Sequence, residues 1–105
     1  MKPRVILHID TSHTEHIRVV LTIEDEKFEK ISKSHIHRAQ AVLPLITSLL
    51  EDHQLTLADI TEITVNIGPG SFTGLRVGCT VANALGYLLD VPVNGKRTLA
   101  NPTYS

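Results

Sequence analysis

The sequence has no tryptophan, only two phenylalanines and two tyrosines, one cysteine, and no excess of either charge. Each scarcity excludes something. Without aromatic bulk, the core has to be built from Val, Ile, Leu and Ala, which supply most of the 42% apolar content. The lone Cys79 rules out an internal disulfide and fits a reducing compartment, so the cytoplasm is the expected location. Ten basic against eleven acidic residues leave no basic face or run of the kind that a general nucleic-acid binder shows. No apolar run reaches membrane-spanning length, and Met1-Lys2-Pro3-Arg4 leads straight into a strand-like run without a signal peptide. The 105 residues read as a single domain, 1–105, with a modest core.

What is present centres on Val65 to Leu89. A short apolar run ends in Gly68-Pro69-Gly70-Ser71-Phe72-Thr73-Gly74, and a long apolar helical run follows. Three glycines within seven residues allow a sharp corner, and Ser71 or Thr73 can cap the helix. A strand-to-helix corner aims backbone N–H groups at one place, which suits an anion. The phosphate-loop patterns do not fit: no Lys follows Gly74, and glycines at 68, 70 and 74 are spaced one residue wider than the dinucleotide fingerprint. A tight structural turn and an anion or partner site both remain open.

Before the corner, Val5–Ile9, Ile17–Ile23 and Phe28–Ile31 read as strands of an antiparallel meander, with a polar turn at Asp10-Thr11-Ser12-His13-Thr14. Apolar positions 39, 42, 43, 46, 49 and 50 make a helical stripe over 39–50, interrupted by Pro44, which kinks the helix or marks its regular start. Ile63–Ile67 is a fourth strand, 72–89 a second helix, and Asp90–Asn94 a short fifth strand. The order β-β-β-α-β-α-β gives an α/β fold with a mixed five-stranded sheet.

In the second helix, Gly74, Gly78, Ala82 and Gly86 recur every four residues as a small-residue strip. Glycine costs about 1 kcal/mol against alanine in a helix, so a neighbouring backbone is expected to approach closely. The first helix of the same chain and a helix of another subunit are both eligible. Leu75, Val77, Val81, Leu85, Leu88 and Leu89 surround the strip, so the helix requires cover on more than one side.

Other chemistry is thin. Asp10 ends the first strand at a turn, as a turn-capping carboxylate would; it resembles the acidic residue that holds a metal near the nucleotide in actin-superfamily phosphotransferases, though the glycine those loops usually carry is absent here. His35 and His37 share a face only on a strand, and no third ligand is in view, so no metal is expected. Cys79 reads as a small core residue. No G-x-S-x-G or other nucleophilic set is present.

The run from Gly68 to Gly78 resembles the GPGSFTG[LV]R[IV]G signature of the bacterial TsaB/YeaZ family, and Ile6-Leu-His-Ile-Asp10-Thr-Ser12 is similar to that family's first strand. Leu43-Pro44-Leu45-Ile46 and Leu57-Ala58-Asp59-Ile60 stand where its first helix and that helix's exit fall. The resemblance implies the ribonuclease-H-like half of the actin/hexokinase/Hsp70 (ASKHA) fold. It implies a first domain without its closing helix, which would start near Thr98-Leu99-Ala100, and without the second domain. It also implies a non-catalytic accessory subunit of the machinery that makes N6-threonylcarbamoyladenosine at position 37 of tRNA. Such a subunit holds the transferase TsaD, meets the ATPase TsaE through the complex, touches tRNA only indirectly, needs no cofactor, and forms a homodimer when alone. The expected interface residues are Leu43, Ile46, Leu50, Arg76, Val77, Gly78, Val81, Ala82 and Leu88. Two rival readings stand beside it. One is a nucleotide-binding domain using Asp10, Thr11, Ser12, Gly68, Gly70, Ser71 and Thr73; the other is a degenerate homodimeric remnant. The old glycoprotease label on the family would require a metal or nucleophile site that the sequence does not offer.

Overall fold

The computed structural model of the chain describes residues 3–33 and 38–97, with the backbone alone at Arg38. Three strands come first: β1 (Val5–Asp10), β2 (Ile17–Ile23) and β3 (Glu26–Ser32). Helix α1 (Arg38–Asp52), β4 (Glu62–Val65) and helix α2 (Phe72–Leu89) follow, with a 3₁₀ turn at Leu57–Asp59 before β4. The four strands form one sheet in the order β3-β2-β1-β4. The meander β1-β2-β3 is antiparallel, and β4 joins β1 in parallel after the α1 crossover.

Alternation along the strands divides the sheet into two faces. Val5, Leu7 and Ile9 of β1, Ile17, Val19 and Leu21 of β2, and Ile63 and Val65 of β4 are buried. They pack with Val42, Ile46, Leu49 and Leu50 of α1 and Cys79, Ala82 and Leu85 of α2 in one aliphatic cluster. Both helices lie on this face, α1 over β2 and β3 and α2 over β1 and β4. The opposite face carries cross-strand pairs instead: Arg18 with Glu29 at 2.5 Å, Arg4 with Glu62 at 2.8 Å, and His8 with Thr64 at 2.6 Å.

Helix α1 runs through Pro44 without ending. Proline removes one N–H from the ladder. Here both Pro44 and Gln40, whose carbonyl loses its donor, are exposed.

The fifth strand is a correction, because the described sheet has four. Only Val93 bridges β4, pairing in parallel with Ile63. Pro92 has no N–H to donate, and Asn94 already turns the chain with φ 51°. The Asn94 carboxamide takes over where a backbone would continue. Its Oδ1 accepts from the Val65 N–H at 2.8 Å, and its Nδ2 donates to the Val65 carbonyl at 3.2 Å. The expected closing helix from residue 98 onward lies outside the described residues.

Candidate functional site

Two regions hold the residues singled out from the sequence: the corner between β1, β4 and α2, and the outer surface of the two helices.

At the corner, β1 ends in Asp10 and its turn folds back on it. Asp10 Oδ1 accepts from the Ser12 N–H at 3.0 Å, the Ser12 hydroxyl at 2.6 Å and the Asn66 amide at 3.2 Å. Asn66, just past β4, also accepts the Gly68 N–H at 3.0 Å and so ties the turn to the glycine loop. The loop N–H of Ser71 donates to the Ser12 carbonyl at 2.8 Å. Ser71 is the N-cap of α2, its hydroxyl accepting from the Gly74 N–H at 3.3 Å. The hydroxyl of Thr11, wholly buried, donates to the Gly74 carbonyl at 2.5 Å.

The small-residue strip of α2 faces this turn, not another helix. A methyl group on Gly74 would fall on the Thr11 carbonyl oxygen, and one on Gly78 on the Thr11 hydroxyl, both well inside 3.0 Å. On Gly86 it would strike Val93. Neither of the two eligible helix neighbours fills the strip; the chain's own β1–β2 turn and Val93 do. Thus Asp10, Thr11, Ser12, Gly68, Gly70 and Ser71 are brought together as the nucleotide reading requires, but Asp10 and Ser71 bond to Ser12, Thr11 to Gly74 and Gly68 to Asn66. Thr73 points away and is exposed. Among the described residues, no three His, Cys, Asp or Glu side chains are grouped to hold a metal ion. His35 and His37 lie outside the described residues.

Two groups near the corner have shifted acidities. Burial alone would raise the Asp10 carboxyl, but the bonds from the Ser12 hydroxyl and N–H, Asn66 and the nearby His13 together hold it below its ordinary value of 3.8. Burial pushes His8 below its ordinary 6.5, with Arg18 and Lys27 adding to that against the pull of Asp10. The signs give a testable pH profile. The contribution of His8 is complete above its unfolded value and declines as pH falls below it, because the unfolded chain takes up the proton first. That of Asp10 is complete above its own unfolded value and is lost as pH falls through the lowered folded one. Urea unfolding across pH 3 to 8 should therefore show stability falling from about pH 6.5 downward, with the first decline flattened in His8→Gln and a second, below about pH 4, absent in Asp10→Asn. A flat profile between pH 5 and 7 in the wild type would contradict the His8 assignment.

The helix surface tells a different story for the expected interface residues. Ile46, Leu50, Gly78 and Ala82 are buried inside the chain and are not available to a partner. Most of the α1 stripe serves the core, and only Ala39 and Leu43 of it are exposed. Leu43 at 43%, Phe72 at 53%, Leu88 at 74% and Tyr87 at 86% are exposed. Arg76 is exposed next to Phe72, and Val77 and Val81 are half-buried between the helices. Asn66, His8 and Asn94 were not singled out from the sequence. Asn66 had a signal, an amide residue two positions before a Gly-Pro-Gly turn, the spacing at which a side-chain amide bonds backbone two residues on. Asn94 had none, because its carboxamide acts on a strand distant in sequence.

A two-layer α/β domain, with its helices on one face of a mixed sheet and a glycine corner after the parallel strand, is the ribonuclease-H-like half of the ASKHA fold. The family model that matches residues 22–101 is described as "TsaD: tRNA N6-adenosine threonylcarbamoyltransferase". The tRNA threonylcarbamoyladenosine biosynthesis protein TsaB of Bacillus subtilis (strain 168) is 38% identical over 98 residues, 90% of this chain and 41% of that protein. Its counterpart in Haemophilus influenzae is 36% identical over 96 residues, 89% of this chain and 39% of that protein. The solved structure of YeaZ from Pseudomonas aeruginosa superposes with a TM-score of 0.79 at 31% identity, covering 86% of this chain and 42% of that one. The chain belongs to this family, and its relatives place it with the TsaB/YeaZ proteins. It spans about two-fifths of the length of the curated relatives it matches.

Proposed function

We propose that this chain is a non-catalytic accessory component in the biosynthesis of tRNA N6-threonylcarbamoyladenosine, acting in the cytoplasm by docking the transferase TsaD on its α1–α2 layer. The observation that carries this reading is the composition of that layer. Its exposed side holds Leu43, Phe72, Tyr87 and Leu88, and α2 has a single charged residue in 18. Large apolar side chains left exposed at both ends of a helix this poor in charge support an interaction surface. At the corner the side chains that could serve chemistry are bonded to each other, which supports a structural role there. TsaE-like ATPase would be met through the complex, tRNA only indirectly, and in the absence of TsaD the same layer would pair with a second copy.

Capture by a tagged TsaD subunit from the same organism tests the reading. Leu88→Glu places a charge in the centre of an apolar contact and should weaken binding by about 30-fold or more, a loss of about 2 kcal/mol. Its melting temperature should stay within a degree or two of the wild type, because Leu88 touches solvent, not core. Lys27→Glu, on the opposite side of the sheet, should bind normally. Equal capture of all three proteins, or capture of none, would sink the proposal.

A further inference from the structure

Arg76 is the only charged residue of α2, and it stands exposed in the second turn. Its guanidinium lies 5.8 Å from the centre of the Phe72 ring, at the outer range of a cation–π contact. It enters no ion pair among the described residues. Beside it runs a groove of about 380 Å³ between the start of α1 and α2, floored by Ala39, Phe72, Val77 and Val81 and edged by Thr73 and Thr80. The first turn of α2 has no acidic residue, so the positive end of the helix dipole adds to the Arg76 charge. The groove is therefore apolar inside and positive at one rim.

A partner that covers such a groove strips water from Arg76. An uncompensated buried charge opposes binding strongly, so a stable occupant has to return a negative charge at that point. We infer that the segment of the catalytic partner that docks here seats an aliphatic or aromatic side chain in the groove and sets an aspartate or glutamate against Arg76. This rests on the docking reading above and adds the chemistry of the occupant. A second copy is a poorer match, since the acids on its own α1 and α2 are Glu51 and Asp52 at the far end of α1, and Asp52 already pairs with Lys30 at 2.7 Å.

The test is the dissociation constant of the full chain with purified TsaD, measured by calorimetry at about 50 mM and 300 mM salt, which changes the screening length by more than twofold. Wild type should bind more weakly at the higher salt. Arg76→Gln should lose about tenfold in affinity together with most of the salt dependence, and Arg76→Glu should lose more, since it opposes like charges. Leu88→Glu should bind weakly but keep the dependence that Arg76 supplies. If Leu88→Glu loses binding while Arg76→Glu binds like wild type, the docking face stands and the carboxylate assignment fails. If the wild type does not bind TsaD, both readings fail. A salt-sensitive dimer of the chain alone, dissolved by Arg76→Glu, would put the carboxylate on a second copy and overturn the assignment to the catalytic partner.

Discussion

Gly74→Ala is expected to destabilise the chain by about 3 kcal/mol or more, because the added methyl meets a backbone carbonyl that cannot swing aside. Helix propensity alone points the other way, favouring alanine by about 1 kcal/mol. The sign of the measured change therefore decides between an ordinary helix position and a close-approach position. The Thr11 carbonyl oxygen stands where the alanine Cβ would be, and the Thr11 hydroxyl is bonded to the Gly74 carbonyl. Relief would require α2 to lift from the β1 turn, breaking that bond and opening the contact at Gly78 as well. For a domain of this size the loss corresponds to a fall in melting temperature of about 12 °C or more. Ala84→Gly, on the exposed side of the same helix, should cost only about 1 kcal/mol. A Gly74→Ala protein melting at or above the wild-type temperature would show that the strip is not packed against the turn.

Asp10→Ala is the second large effect, expected at about 3 kcal/mol without any ligand present, since hydrogen bonds to a charged acceptor contribute about 1.5–3 kcal/mol each and three on one oxygen are not additive. The carboxylate is nearly buried and its Oδ1 gathers the Ser12 N–H, the Ser12 hydroxyl and the Asn66 amide. Asp10→Asn can keep an acceptor oxygen in place and should lose about half as much. Chemical denaturation of the two variants at pH 7 reads both numbers. If Asp10→Ala unfolded at the wild-type denaturant concentration, the carboxylate would be free of a structural task and a ligand role would become the better account.

These two effects rest on the part of the molecule that the sequence reveals least directly. The periodicity of Gly74, Gly78, Ala82 and Gly86 announces a close approach, but a helical repeat specifies a face and not what meets it. The neighbour is a turn more than sixty residues upstream, and it reaches α2 only because β4 enters the sheet beside β1. Elements governed by local chemistry were legible. The meander followed from alternating apolar runs, and α2 begins and ends at Phe72 and Leu89 because Ser71 caps it and Asp90 takes a left-handed conformation at its end. The fifth strand was not legible, because the chain there has strand-like composition but Asn94 completes the pairing with a side chain. Partitioning α1 also failed in part. The apolar stripe runs past the core-facing side at Ala39 and Leu43, while the adjacent pair Leu49 and Leu50 lies wholly in the core. Composition cannot say that Leu43 faces outward while Ile46 and Leu50 lie inside. The signature around the glycine corner carries the family, and its Gly68, Ser71, Gly74 and Gly78 are among the residues that hold the corner against the β1 turn.

The claim that the helices dock a partner while the corner only braces them is tested most directly by amide hydrogen exchange of the full chain, with and without saturating TsaD. The account predicts slowed exchange on binding along 39–47 and 76–88, and unchanged exchange at 10–14 and 66–71. Protection confined to 10–14 and 66–71, with both helices exchanging as in the free chain, would contradict it.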